Sequence, residues 1–311
     1  MKSIAAASLF ASVVLAQSAS LIPSGISSQC STFLTQFNQD TNLTSCTSAI
    51  ISATSAFAPS TNASAAAANF SSSAIQTALD SVCQSSASCP ETLIRPKLAD
   101  FYNACTDELS TSPNADVVRM YDVLYALTPF RNAICSKDDS TNKYCATEIA
   151  SNSTASSSGT LSSIVQDVSV PVSTAISRRA TVQSVVSVAP NAATFAKYNL
   201  LFLMLQPDMS SASLCTSCTR KVLTSYISFE SDTPYAPGLS SSALLSGQSP
   251  LYQAVQTTCG SNFLSGAVAA AAGLSGGVTG QIASGASSLM ANTGVAGALM
   301  GAAVLALSAS L

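Results

Sequence analysis

Ten cysteines lie between Cys30 and Cys259, and the chain contains no histidine. An even number of thiols behind a secretory leader reads as a disulfide framework, because an oxidising compartment pairs thiols and a reducing one keeps them free. Seven of them (Cys30, Cys46, Cys83, Cys89, Cys105, Cys135 and Cys145) precede a cysteine-free stretch, residues 150–190, and three (Cys215, Cys218 and Cys259) follow it. Both counts are odd. If all ten pair within the chain, at least one bridge must join the two sides, so residues 17–149 and 191–263 are expected to be two parts of one domain. Ten cysteines allow hundreds of pairings, and the connectivity is left open; a Cys135–Cys145 bridge closing the loop between them is one candidate.

The leader is Met1-Lys2 followed by an apolar run from Ile4 to Leu15 and the small-residue motif Val14-Leu15-Ala16. That run is shorter than the about 20 residues needed to span a bilayer. Residues 1–16 are therefore expected to be a signal peptide cut after Ala16. At the other end no charged residue occurs after Asp232, and residues 264–284 thin to Gly, Ala and Ser as a disordered stalk before an apolar close, Gly294 to Leu311. Small residues, a spacer and a hydrophobic tail read as a signal for attaching glycosylphosphatidylinositol (GPI), with Ser284 as the attachment residue and 285–311 as the discarded propeptide. Four Asn-x-Ser/Thr sequons, at Asn42, Asn62, Asn69 and Asn152, suit the same route. Charged residues are only 9% of the chain and the net charge is −3, which argues against a nucleic-acid partner.

Between the leader and the tail the pattern is helical. "SAIQTALDSVC" spaces Ile75, Leu79 and Val82 for one helix face, and "NADVVRMYDVLYAL" does the same with Val117, Met120, Tyr121, Leu124 and Leu127. Pro129 is expected to end that helix, and Pro96 to bend the one begun at Pro90. A further helix opens at a Ser-rich cap near "CTSC", and "SPLYQAVQTTCG" has Pro250 in its first turn and Gly260 past its end. The Ser/Thr/Val-rich residues 150–190 read as a flexible linker carrying Arg178-Arg179, where two linker charges are the plain reading and a dibasic processing site the sharper one. The fold class expected is mainly α, a disulfide-stapled helical bundle with a Ser/Thr-rich insertion.

The segments "CSTFLTQFNQDTNLTSC", "YDVLYALTPFRNAICSKDDSTNKYC" and "LCTSCTRKVLTSYISFE" followed by "SPLYQAVQTTCG" resemble a family of secreted, cysteine-rich, typically GPI-anchored fungal proteins that carries only a domain-of-unknown-function label. The resemblance runs over residues 28–262. It implies a helical, disulfide-bonded ectodomain at a fungal cell surface and brings no catalytic residues with it.

Without histidine, the Ser-His-Asp triad, the Cys-His pair and His-ligated metals all fall away. "CTSC" could signal thiol-disulfide exchange, but structural bridges are the expectation, since no strand-helix-strand setting surrounds it. Asp138 and Asp139 could suggest calcium, yet position six of a loop counted from Asp138 is Lys143, where an EF-hand needs glycine. Paired carboxylates for glycoside chemistry would come from Asp107, Glu108, Asp116 and Asp122, although Arg119 and Asp122 more simply form an exposed ion pair. The aromatic stripe Phe101, Tyr102, Tyr121 and Tyr125 reads as core. The expectation is a non-enzymatic surface glycoprotein, needing no cofactor or metal, with a structural, adhesive or recognition role. Its partners would be a membrane, through the GPI lipid, and wall glycan or a small apolar ligand. The rival is a lipid- or sterol-binding module with a cavity lined by Phe101, Tyr121, Leu124 and Phe130.

Overall fold

The computed structural model describes residues 22–54, 72–152, 165–173 and 182–264. The leader, Asn62, Asn69, the Arg178-Arg179 pair, the stalk beyond Leu264 and Ser284 lie outside them. The helices of the first part are α1 (Ser28–Phe37), α2 (Thr41–Thr54), α3 (Ser72–Val82), α4 (Glu91–Ala104), α5 (Ala115–Cys135) and α6 (Cys145–Asn152). After the strands β1 (Val165–Ser173) and β2 (Val182–Pro190) come α7 (Ala192–Tyr198), α8 (Ser217–Asp232) and α9 (Gln248–Cys259). None of the described helices is long and apolar enough to cross a membrane.

Short polar side chains start several of these helices. Ser27 accepts from the Cys30 amide, Asn114 from those of Asp116 and Val117, and Asn191 from that of Thr194. Each occupies one of the amide donors that a helix start leaves open. The cap of α8 is Thr216, within "CTSC", and not one of the serines before it. Gly260 stops α9 with φ +87°, a conformation that costs glycine nothing. Gly247, just before α9, is required for space: a Cβ there would lie 1.7 Å from Asn199 Oδ1.

Helix α5 is the spine. It packs against α3, α4, α6 and α8, and it is buried on more than the one face its spacing predicts, since Val118, Val123 and Ala126 are as enclosed as Tyr121 and Leu124. A helix apolar nearly all round belongs at the centre of a bundle. It also runs through Pro129 to Cys135, and α4 runs unbroken through Pro96. The reason is energetic. An interior proline costs about 3 kcal/mol, while Ile94, Leu98 and Phe101 in α4 are at most 1% exposed, and each buried side chain of this size contributes roughly 1.5–3 kcal/mol. Phe130, Ala133 and Ile134 hold α5 beyond its proline in the same way.

The second part wraps the same spine. Tyr125 meets Phe229 and Tyr235 edge-on, at centroid distances of 5.1 and 5.0 Å, and its hydroxyl donates to the Thr233 carbonyl at 2.6 Å. Leu200 to Leu205 are all buried; two of them, Leu203 and Met204, take left-handed backbone conformations (φ 54° and 65°), a strain that the burial of this run offsets. Leu264, placed by the sequence at the start of the stalk, is buried in the core.

All ten cysteines are paired: Cys30–Cys105, Cys46–Cys89, Cys83–Cys135, Cys145–Cys218 and Cys215–Cys259. One bridge, Cys145–Cys218, crosses the insertion as the odd counts require. The Cys135–Cys145 bridge is not formed, because Cys135 is bonded to Cys83 and Cys145 to Cys218; backbone bonds close that loop instead, the Asp138 amide donating to the Lys143 carbonyl at 2.9 Å and the Cys145 amide to that of Ser136 at 2.8 Å. The insertion differs from a plain linker. β1 and β2 pair antiparallel from Val165 opposite Pro190 to Ser173 opposite Val182. Valine recurs through both segments, and β-branched residues favour extended backbone.

Replacing residues 174–181, which join the two strands, with a site-specific protease sequence should give a nicked protein that migrates as one species without reductant and as two with it. Two species in the absence of reductant would contradict the Cys145–Cys218 link.

Candidate functional site

The loop between α5 and α6 meets the first turn of α8, and here the two parts of the chain are latched together. Asp138 Oδ1 accepts from the Ser140 and Thr141 amides at 2.8 and 3.0 Å, while Oδ2 accepts from the Ser217 hydroxyl across the junction. These hydroxyl and amide donors, led by Ser140 and Ser217, hold the Asp138 carboxyl well below the usual carboxylate range. Lys221 on α8 donates back to the Lys137 carbonyl at 2.6 Å and to Asp139 at 2.5 Å. Beside them is a cleft of about 160 Å³ lined by Ile149, Leu205, Met209, Thr141 and Glu148 among others.

Asp138, Glu148 and Cys218 converge there, but Cys218 Sγ belongs to a disulfide and is no thiolate ligand. Four protein donors besides occupy Asp138, the amides of Ser140 and Thr141 and the hydroxyls of Ser140 and Ser217. The same is true of "CTSC": Cys215 and Cys218 bond different partners, Cys259 and Cys145, so the motif is a branch point of the framework and not a dithiol pair.

Three of the four candidate carboxylates are engaged by neighbours of their own. Asp107 is exposed. Glu108 is buried and accepts from the Ser27 amide at 2.5 Å. Asp116, half-exposed, pairs with Arg119 at 2.7 Å. Asp122 is the correction: it is fully buried, not an exposed partner of Arg119, and takes a hydrogen bond from the Tyr235 hydroxyl and another from the Leu244 amide at 2.9 Å. Its partners lie more than a hundred residues away, so helical spacing could only offer Arg119. Phe101 and Tyr121 meet edge-on at 5.4 Å, and Tyr121 meets Tyr235 at 5.3 Å. Phe101, Tyr121, Leu124 and Phe130 are all buried in the core, and Tyr102 is half-buried against it. Of the sequons, Asn42 is exposed at the start of α2; Asn152 ends α6, with its side chain outside the described set.

One buried acid escaped sequence reasoning. Glu230 is fully buried, with both carboxyl oxygens 2.6 Å from Gln248 Nε2. Its signal was present: it follows Tyr226 by four and Leu223 by seven positions, on the apolar face of α8. Burial pushes its pKa up to about 8 and that of Asp122 up to about 6.

An acid whose pKa is raised by folding binds its proton more tightly in the native state, so stability is greatest below the unfolded value and falls as pH rises through the folded one. The unfolding free energy read from urea titrations should therefore fall between about pH 4.5 and about pH 8.5, by several kcal/mol at roughly 1.4 kcal/mol per pKa unit, and E230Q should flatten the upper part of that decline. A midpoint that rises across this range would contradict the assignment.

No curated protein matches the chain, and neither does any solved structure. Residues 18–201 match the profile of the family described as Domain of unknown function (DUF7729). The match stops at Leu201, inside the core, whereas α8, α9 and the bridges Cys145–Cys218 and Cys215–Cys259 complete the fold beyond it. With more than half of its residues matched, the chain belongs to the DUF7729 family.

Proposed function

We propose that this protein is a non-enzymatic glycoprotein displayed at the cell surface or in the cell wall through a GPI anchor, with a structural, adhesive or recognition role in a fungal cell. The observation that carries the reading is the complete pairing of ten cysteines. Frameworks of this density form and persist in oxidising compartments. Each bridge closes a loop of 43 to 75 residues, for which chain-entropy arguments give roughly 4 kcal/mol apiece, and such a module resists unfolding where no chaperone attends it. The apolar leader, the four sequons and the uncharged apolar tail agree with that route. The non-enzymatic reading rests on the absence of histidine and on the engagement of Glu108, Asp116 and Asp122 by their own neighbours. A lipid- or sterol-binding role draws less support, because Phe101 and Tyr121, which would line its cavity, pack against each other, and Leu124 and Phe130 are buried in the same core.

Phosphatidylinositol-specific phospholipase C should release the protein, tagged after Gln17 with its C-terminus native, from intact protoplasts. Retention after that treatment, together with detergent extraction of a species that still carries its C-terminal peptide, would overturn the anchor.

A further inference from the structure

We propose that α9 is a proton-operated clasp: Glu230 on α8 and Gln248 at the start of α9 share one proton, and its loss frees α9 from the bundle while Cys215–Cys259 keeps it tethered. This goes beyond the surface role proposed above and does not rest on it. The first observation is the contact itself. Both Glu230 oxygens lie 2.6 Å from the amide end of Gln248, shorter than the roughly 2.7–3.2 Å of N–H···O bonds and within the roughly 2.5–3.0 Å of O–H···O bonds. The nitrogen and oxygen of a glutamine amide exchange places by a half-turn of the group. With the oxygen turned to Glu230, a neutral carboxyl donates its hydrogen to Gln248 Oε1, an atom that otherwise has no partner among the described residues.

The surroundings of the pair are the second observation. Glu230 is 0% exposed, and among the described residues no lysine or arginine forms an ion pair with it. Its titratable neighbours are Tyr125 on α5, Tyr226 on α8 and Tyr252 on α9. Each donates its hydrogen elsewhere: Tyr125 to the Thr233 carbonyl at 2.6 Å, Tyr226 to that of Leu201 at 2.5 Å and Tyr252 to that of Leu223 at 3.2 Å. An ionised Glu230 has only the Gln248 amide in place of water, and a buried charge so poorly matched is costly. Asp122 differs. The Tyr235 hydroxyl and the Leu244 amide both donate to it, so its anion is better supported and the segment leading to α9 stays docked when Glu230 ionises.

The third observation is how α9 is held. Its backbone packs closely with the four-residue helical turn Ser211–Leu214, and its last residue is bonded to Cys215, which follows that turn. Toward α8 the hold is made by side chains, Gln248 on Glu230 and Tyr252 on the Leu223 carbonyl, with Leu251 and Val255 buried. Opening uncovers Leu251, Tyr252 and Val255. The closed form binds the proton more tightly than the open one, in which Glu230 meets water. Rising pH therefore favours opening, by about tenfold per unit until about pH 8 and by little beyond it.

The test is hydrogen–deuterium exchange of the full purified chain at pH 6.5 and 8.5, expressed as protection factors so that the intrinsic rise of exchange with pH cancels. The amides of Leu251 to Val255 should be protected at least tenfold less than those of Ile94 to Phe101 in α4, and should depend little on added urea, as a local opening does. Their protection should fall a further tenfold or more between the two pH values. E230Q, which replaces the acid–amide pair with two amides, should abolish that fall. The infrared difference spectrum of wild type minus E230Q at pH 6.5 should show the C=O stretch of a neutral carboxyl. Protection of α9 equal to that of α4, protection of α9 that does not change with pH, or a difference spectrum without the neutral carboxyl would overturn the proposal. The wild-type exchange decides the matter even where E230Q fails to fold. None of these readouts involves a membrane, so their failure leaves the phospholipase result untouched.

Discussion

Helix α5 must be surrounded. Its side chains are apolar on nearly every face, so it can be stable only if four other helices supply the walls, and the first part of the chain provides only three of them, α3, α4 and α6. The fourth, α8, comes from beyond the insertion. That requirement explains the Cys145–Cys218 bridge, the ring contacts of Tyr121 and Tyr125 with Phe229 and Tyr235, and the bond from the Tyr125 hydroxyl to the Thr233 carbonyl. The covalent link and the aromatic packing solve one problem from two directions. The bridge limits how far the parts can separate in the unfolded chain, and the rings fix how they dock in the folded one.

The same enclosure traps polar groups. Asp122 and Glu230 stand on α5 and α8, facing into the bundle, and both are buried where water cannot solvate a charge. Burial of an ionised carboxylate is costly, and the cheaper course is to keep the proton. Asp122 is then held by donors from the segment that leads into α9, and Glu230 by Gln248 at the start of α9. These two contacts place α9 against the bundle with a specificity that apolar packing alone would not provide. The consequence is that ionising these two acids weakens the fold.

Much of this was legible in the sequence. Cysteine parity required a bridge across the insertion, and the spacing of Leu79, Val82, Tyr121 and Leu124 marked core faces that are buried. What the sequence hid were outcomes decided by tertiary context. Pro96 and Pro129 read as breakers, but the burial on either side of them outweighs the cost of a missing amide. Asp122 read as half of a surface pair because its true partners, Tyr235 and Leu244, are distant in the chain. The pairing of β1 with β2 was obscured by the Ser, Gln and Asp between their valines. Arg131 gave no signal at all, since the carbonyls it binds, those of Val82, Gln84 and Ala87, lie 44 to 49 residues earlier.

The claim that two cysteine-bearing parts form one unit around α5 is tested most directly by mapping the disulfides of the unreduced protein by mass spectrometry of proteolytic peptides. The account predicts cross-linked peptides joining Cys145 to Cys218 and Cys215 to Cys259. A bridge within the motif, Cys215 to Cys218, or one joining Cys135 to Cys145, would contradict it.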